Sequence, residues 1–154
     1  MSGTRKAAIV LGITLAALAV GCGGDSAEAV DPEAIEGTWT YELSREYMLE
    51  NGISEEQAKN ESGAHTAVLR DGNFSDSWRT TEGTTGTCSG KYVAEGSAVT
   101  FYWKRGCFGD WKMTPTLEGD QLTWSDMEAL PPHDSDEDQK INEVFNSVPW
   151  TRAE

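Results

Sequence analysis

The sequence predicts an all-β domain: an antiparallel up-and-down barrel of about eight strands, with a short helical insertion after the first strand and one helix before the last. Three observations carry this. Between Thr87 and Asp126 the chain holds two near copies of one pattern, Glu95-Gly96-Ser97-Ala98-Val99-Thr100-Phe101 and Glu118-Gly119-Asp120-Gln121-Leu122-Thr123-Trp124. Each is an acidic-Gly turn followed by apolar and polar residues in alternation, the pattern of a β-hairpin. The same two-residue period recurs from Gly37 to the end of the chain, so the strands should close around one interior. Helical periodicity appears in only two places.

The elements follow in order. Gly37 to Leu43 alternates cleanly, with Trp39, Tyr41 and Leu43 on one face and Thr38, Thr40 and Glu42 on the other. Ser44 is an N-cap candidate and Gly52 a stop, while Ser54 with Gln57 three residues on has the form of a capping box. Two short helices over residues 45–51 and 55–60, folded back as a lid-like insertion, are expected. Ala64 to Arg70 resumes strand character, Asp71-Gly72 signals a turn, and Asn73 to Thr80 forms the second arm. On that arm Phe74, Asp76 and Trp78 share a face, and the aromatic face must be the inner one. Asp76 is therefore an inward carboxylate, costly unless hydrogen-bonded, hydrated or touched by a ligand.

Thr81 to Gly86 reads as a Thr/Gly-rich loop, and Gly90 to Glu95 with Ala98 to Lys104 as a third hairpin whose second arm turns Val99, Phe101 and Trp103 inward. Arg105 to Gly109 is a connecting loop. Trp111, Met113, Pro115 and Leu117 then share a face, although Pro115 cannot donate to a ladder and so marks a break or an outward N–H. Leu122 and Trp124 are inner residues of the following strand, and Met127 to Asp134 reads as a crossover. From Ser135 the period turns helical: Ile141, Val144, Phe145 and Val148 fall on one stripe, with Asp136, Glu137 and Asp138 in the first turn, where the helix dipole favours them. Pro149 to Arg152 is the last short strand.

The residues before Gly37 have a different character. Arg5 and Lys6 precede an uncharged apolar run from Ala7 to Val20, the length of a secretory h-region and too short for a permanent span. The run ends in Leu18-Ala19-Val20-Gly21-Cys22, which resembles the lipobox of bacterial lipoproteins, although Leu18 lies one residue further from the cysteine than the common pattern has it. The resemblance implies that residues 1–21 are a signal peptide, that Cys22 is acylated, and that the protein is exported and lipid-anchored to the outer face of the cell membrane. Residues 22–36 are small, acidic and Pro-containing and read as a flexible linker, leaving 37–154 as the domain. Loss of Arg5 and Lys6 reduces the 12 basic residues to 10 against 26 acidic ones, a formal charge of −16. Such a charge argues against nucleic acid and anionic headgroups as partners.

With Cys22 lipidated, Cys88 and Cys107 remain as an even pair in an oxidising compartment, and a disulfide between them is expected. It would close a loop of roughly twenty residues and stabilise the domain by about 3 kcal/mol. Neither cysteine has a partner at metal-ligand spacing.

Gly37-Thr38-Trp39 at the head of the first strand resembles the Gly-x-Trp signature of the lipocalin and calycin barrels, and Arg152 stands where that family carries an arginine packed over the tryptophan. The region from Gly37 to Arg152 is similar to the lipocalin-like domain of exported bacterial lipoproteins, but it lacks the second and third lipocalin signatures. The resemblance implies that Trp39 and Arg152 close one end of the barrel, that Trp39 is structural, and that the other end admits a small hydrophobic or amphipathic ligand. Tyr41, Asp76, Trp78 and Trp103 are the candidate ligand-binding residues. The inner aromatics either line a cavity or fill a solid core, in which case the protein is a structural or interaction module of the envelope.

Catalysis and cofactors find little support. His65 and His133 sit in no nucleophile or metal pattern, and Asp134, Asp136, Glu137 and Asp138 lack the glycine and closing glutamate of a calcium loop. No catalytic residue, metal ligand or cofactor is assigned, no protein partner is identified, and a non-enzymatic protein is expected.

Overall fold

The computed structural model describes residues 29–105, 109–130 and 136–153. Eight strands run in sequence order around a closed antiparallel barrel: β1 (Gly37–Leu43), β2 (Gly63–Arg70), β3 (Asn73–Thr80), β4 (Thr85–Glu95), β5 (Ala98–Arg105), β6 (Asp110–Glu118), β7 (Gln121–Leu130) and β8 (Trp150–Arg152). β8 closes the ring by pairing with both β1 and β7. Helices α2 (Arg45–Glu50) and α3 (Glu55–Glu61) lie between β1 and β2, and α4 (Asp136–Asn146) precedes β8.

The chain end of β1 and the start of β8 place α2, α3 and α4 at one end of the barrel. Ser44 and Ser54 cap α2 and α3 by accepting from the backbone N–H groups of Tyr47 and Gln57. Met48, Ile53 and Ala58 are buried beneath this insertion, and an Arg45–Glu55 ion pair links its two helices. The Tyr47 hydroxyl meets Ser147 Oγ at 2.6 Å, which joins α2 to the segment after α4.

The opposite end is closed by a helical turn, α1 (Pro32–Ile35), within the stretch expected to be linker. Ile35 is buried, so this part of the stretch packs into the domain. Asp31 caps the turn, and the Trp39 indole N–H donates to Ile35 O at 2.9 Å. Arg152 donates to Glu36 O at 2.7 Å and Ala34 O at 2.8 Å, and its Cζ stands 4.3 Å from the centre of the Trp39 ring. The planar guanidinium can face a ring and reach two carbonyls at once, which suits it to this corner.

Three strand limits differ from expectation. β4 begins at Thr85, so part of the expected Thr81 to Gly86 loop is ladder, held by the partner strand β3 from Arg79 opposite Thr85 onward. β7 runs to Leu130 through residues expected to form a crossover. Opposite Lys112 to Thr114 of β6 the ladder shifts register, with the extra residue on β7 beside Asp126 at φ 50°; Trp111 and Met113 are buried while Leu117, expected inside, is exposed. Leu117 keeps the phase of Trp111 and Met113 and pairs with the fully buried Leu122, so its exposure comes from its place beside the β6–β7 turn and not from a change of face.

Candidate functional site

The helical end of the barrel contains a cavity of about 110 Å³, into which β1, β3, β4, β5, β8, α3 and α4 contribute side chains. All four residues expected to meet a ligand, Tyr41, Asp76, Trp78 and Trp103, line it. Their convergence follows from register. Asp76 lies opposite Ala67 on one side and Cys88 on the other, and small neighbours leave room for the carboxylate. Trp78 faces Gly86, where an added Cβ would run into the indole ring.

Asp76 is 6% exposed. Its Oδ2 accepts from the Tyr41 hydroxyl at 2.9 Å and meets His65 Nδ1 at 3.1 Å. His65 Nε2 lies 3.0 Å from Glu61 O, an atom that can only accept, so Nε2 carries a hydrogen. The contact with Asp76 then requires a second proton between Nδ1 and Oδ2. Drawn as imidazolium and carboxylate or as imidazole and carboxylic acid, the pair has no net charge. Burial first, and the neighbouring Asp76 second, push the Tyr41 hydroxyl well above its ordinary pKa, so it stays a donor.

Four rings stack across this end. Tyr41 lies between His65, centroids 4.5 Å apart, and Trp150, at 5.0 Å, while Trp78 covers the other face of His65 at 5.8 Å. Phe145 of α4 meets His65 edge-on at 5.7 Å. The C-terminal carbonyls of α3 are bound to the same stack: Trp78 Nε1 donates to Asn60 O at 3.3 Å, beside the His65 contact to Glu61 O. A helix end leaves such carbonyls without helical partners, and here two barrel rings supply them.

Some further polar atoms of these residues are unpaired. Asp76 Oδ1 is buried without a hydrogen-bond partner, as are the indole N–H groups of Trp103 and Trp150, both of which line the cavity. Glu61 also lines it, and its carboxylate forms no hydrogen bond or salt bridge among the described residues; burial raises its pKa, and the charge of His65 partly opposes the rise. Asn142 and Asn146 of α4 complete the polar part of the wall.

His65, Glu61 and Trp150 were not among the sequence candidates. For His65 the signal existed, because it alternates in phase with Ala67 and Leu69, both fully buried. Glu61 comes from a helix end and Trp150 from the closing strand, so only the tertiary fold brings them here. Cys88 lies on the cavity wall, whereas Cys107 and the lipidation candidate Cys22 fall outside the described residues, as do His133 and Asp134. No cluster of metal-ligating side chains occurs among the described residues, and no helix among them is long and apolar enough to cross a membrane.

The fold and the site define a class: a closed eight-stranded antiparallel barrel, compatible with a lipocalin-like fold, with a small recess at its helical end. No family model, curated protein or solved structure matches the chain significantly.

Proposed function

We propose that this is an exported lipocalin-like lipoprotein, anchored through acylated Cys22 to the outer face of the cell membrane, whose barrel binds one small amphipathic molecule. The observation that supports binding is the buried Asp76 Oδ1, unpartnered on the wall of a partly apolar recess. Apolar burial against Phe74, Trp78 and Trp103 would drive association, and Asp76, held by Tyr41, would orient the ligand. The volume sets the scale. A dry cavity of ~150 Å³ accommodates benzene, so about 110 Å³ suits a molecule of that order rather than a fatty acid or bilayer lipid.

The role is binding rather than catalysis: both ring nitrogens of His65 are already engaged, which leaves neither free to serve a substrate as base. The Cys88–Cys107 disulfide belongs to the same proposal, as the brace of an exported domain. Native mass spectrometry of the full-length protein released from detergent micelles is the test. A reproducible adduct of small mass, lost on partial unfolding, is expected; a bare chain together with no response of tryptophan emission to small amphipathic molecules would refute the reading.

A second reading, a solid-core module that meets a protein partner, draws on the filled interior, where Trp39, Leu69, Val99, Phe101 and Leu122 are almost fully buried. Crosslinking in intact cells that recovers one partner, abolished by changes in Arg45 to Asn60, would favour it.

A further inference from the structure

We propose that the ligand taken by this recess is a small monovalent ammonium ion carrying at least one N–H, held between Asp76, Glu61 and the surrounding rings. This rests on the binding reading above and specifies its chemistry.

The Asp76–His65 pair is neutral as a unit, because the proton between Nδ1 and Oδ2 is required by the Nε2 contact to a carbonyl. Glu61 is then the ionisable group on the wall whose carboxylate has no ion-pair partner, only the partial opposition of His65, and no Lys or Arg lines the recess among the described residues. One positive charge balances it. The mature chain as a whole is strongly acidic, so its field also favours a cation at the mouth.

The second step is hydrogen bonding. Asp76 Oδ1 is an acceptor in either drawing of the pair, and it is buried without a partner on a residue that lines the recess. It needs a donor, which an ammonium N–H supplies and a quaternary ammonium does not. Glu61 needs a donor or a charge, and an ammonium supplies both. The third step is the walls. Trp78, Trp103, Phe74 and Phe145 present rings around the same space, and the faces of such rings attract cations. Trp103 and Trp150 retain unpaired indole donors, which would hold an anion only by overcoming Glu61.

The experiment uses the full-length protein in a nonionic detergent and reads calorimetric titration together with tryptophan emission. The probes are cyclopentylammonium, neutral cyclopentanol, cyclopentanecarboxylate and cyclopentyltrimethylammonium. One cyclopentylammonium should bind per chain, at least about tenfold more tightly than any of the other three, the discrimination expected of one charge-assisted hydrogen bond in a part-buried site. Glu61→Gln should weaken cyclopentylammonium about tenfold and cyclopentanol by far less. That variant keeps the fold, since the carboxylate forms no bond within the chain among the described residues.

Equal affinity for cyclopentanol and cyclopentylammonium overturns the ammonium proposal and leaves small-molecule binding standing. Tighter binding of the carboxylate or of the trimethyl analogue overturns it as well, as does ammonium binding indifferent to Glu61→Gln. Silence from all four probes defeats both readings.

Discussion

Asp76→Asn should cost far more than its size suggests. The side chains are isosteric, but one oxygen of Asp76 receives two donors, the Tyr41 hydroxyl and His65 Nδ1, at 2.9 and 3.1 Å. An asparagine oxygen in that place leaves His65 with two poor choices. It can hold both protons, as a buried imidazolium with no counter-charge, or lose the Nδ1 proton and set two lone pairs against each other. A flipped amide offers N–H to Nδ1 but leaves the Tyr41 hydrogen without an acceptor. Breaking a buried pair by removing one charge costs ~3–5 kcal/mol, which for a domain of this size lowers Tm by roughly 10–20 °C. Differential scanning calorimetry of the full chain at pH 7 measures it. His65→Gln in the same background should recover part of the loss, because the unbalanced ring is gone; the cycle should return a coupling of about 1–3 kcal/mol. A loss below about 1 kcal/mol for Asp76→Asn, the range of an ordinary neutral hydrogen bond, would refute the shared-proton account.

Other outcomes follow from single contacts. Glu61→Gln should be no less stable than wild type at neutral pH: burial raises the folded pKa of Glu61 from 4.5, so the native state holds the proton longer than the unfolded chain, and stability falls as pH rises through that window. Urea titrations of both proteins from pH 4 upward should show that slope in wild type alone. Tyr92 should behave likewise at the alkaline end, since burial and its bond to Glu36 push its pKa from 10.0 to about 12. Stability should drop between those pH values, and the drop should shrink in Tyr92→Phe, followed by far-UV circular dichroism. Arg152→Met should cost about 2–4 kcal/mol, through two charge-assisted bonds to Glu36 O and Ala34 O and the contact with Trp39. Amide exchange in that variant should quicken at the Ile35 end of the barrel and not in α4.

The barrel was legible because alternation is a local property: Trp39, Tyr41 and Leu43 announce one buried face within seven residues, and β1 has that burial. Asp76 was legible for the same reason, as a charge in phase with Phe74. The start of β4 was not, because Thr and Gly between residues 84 and 90 carry no apolar signal. That segment is a strand because β3 offers it a ladder and because Gly86 admits the Trp78 ring. The bulge lies on β7 beside Asp126, where no local pattern marks it, and Leu117 keeps its expected phase yet is exposed because it sits beside the turn. The site was half legible. Its aromatic and acidic walls lie on strands, whereas Glu61 and Phe145 come from helices whose docking no local pattern specifies.

The two ends of the barrel treat polar groups in opposite ways, and the difference bears on whether the interior is only a core. At the α1 end the Trp39 indole, the Arg152 guanidinium and the Tyr92 hydroxyl all find acceptors. At the helical end Asp76 Oδ1 and the indoles of Trp103 and Trp150 are buried without them, around one recess. Each such group costs about 1–3 kcal/mol. A core selected for stability alone would replace Asp76 by an apolar residue and Trp103 by phenylalanine at little loss of volume. An unpaired acceptor on a residue of that wall is explained when a donor enters the recess and pairs with it; the indole N–H groups of Trp103 and Trp150 need an acceptor, which an ammonium does not supply. The same logic fixes a limit on the occupant: it must present donors to Asp76 and Glu61 within a volume of about 110 Å³, so a long-chain lipid is the wrong shape and a compact ammonium the right one.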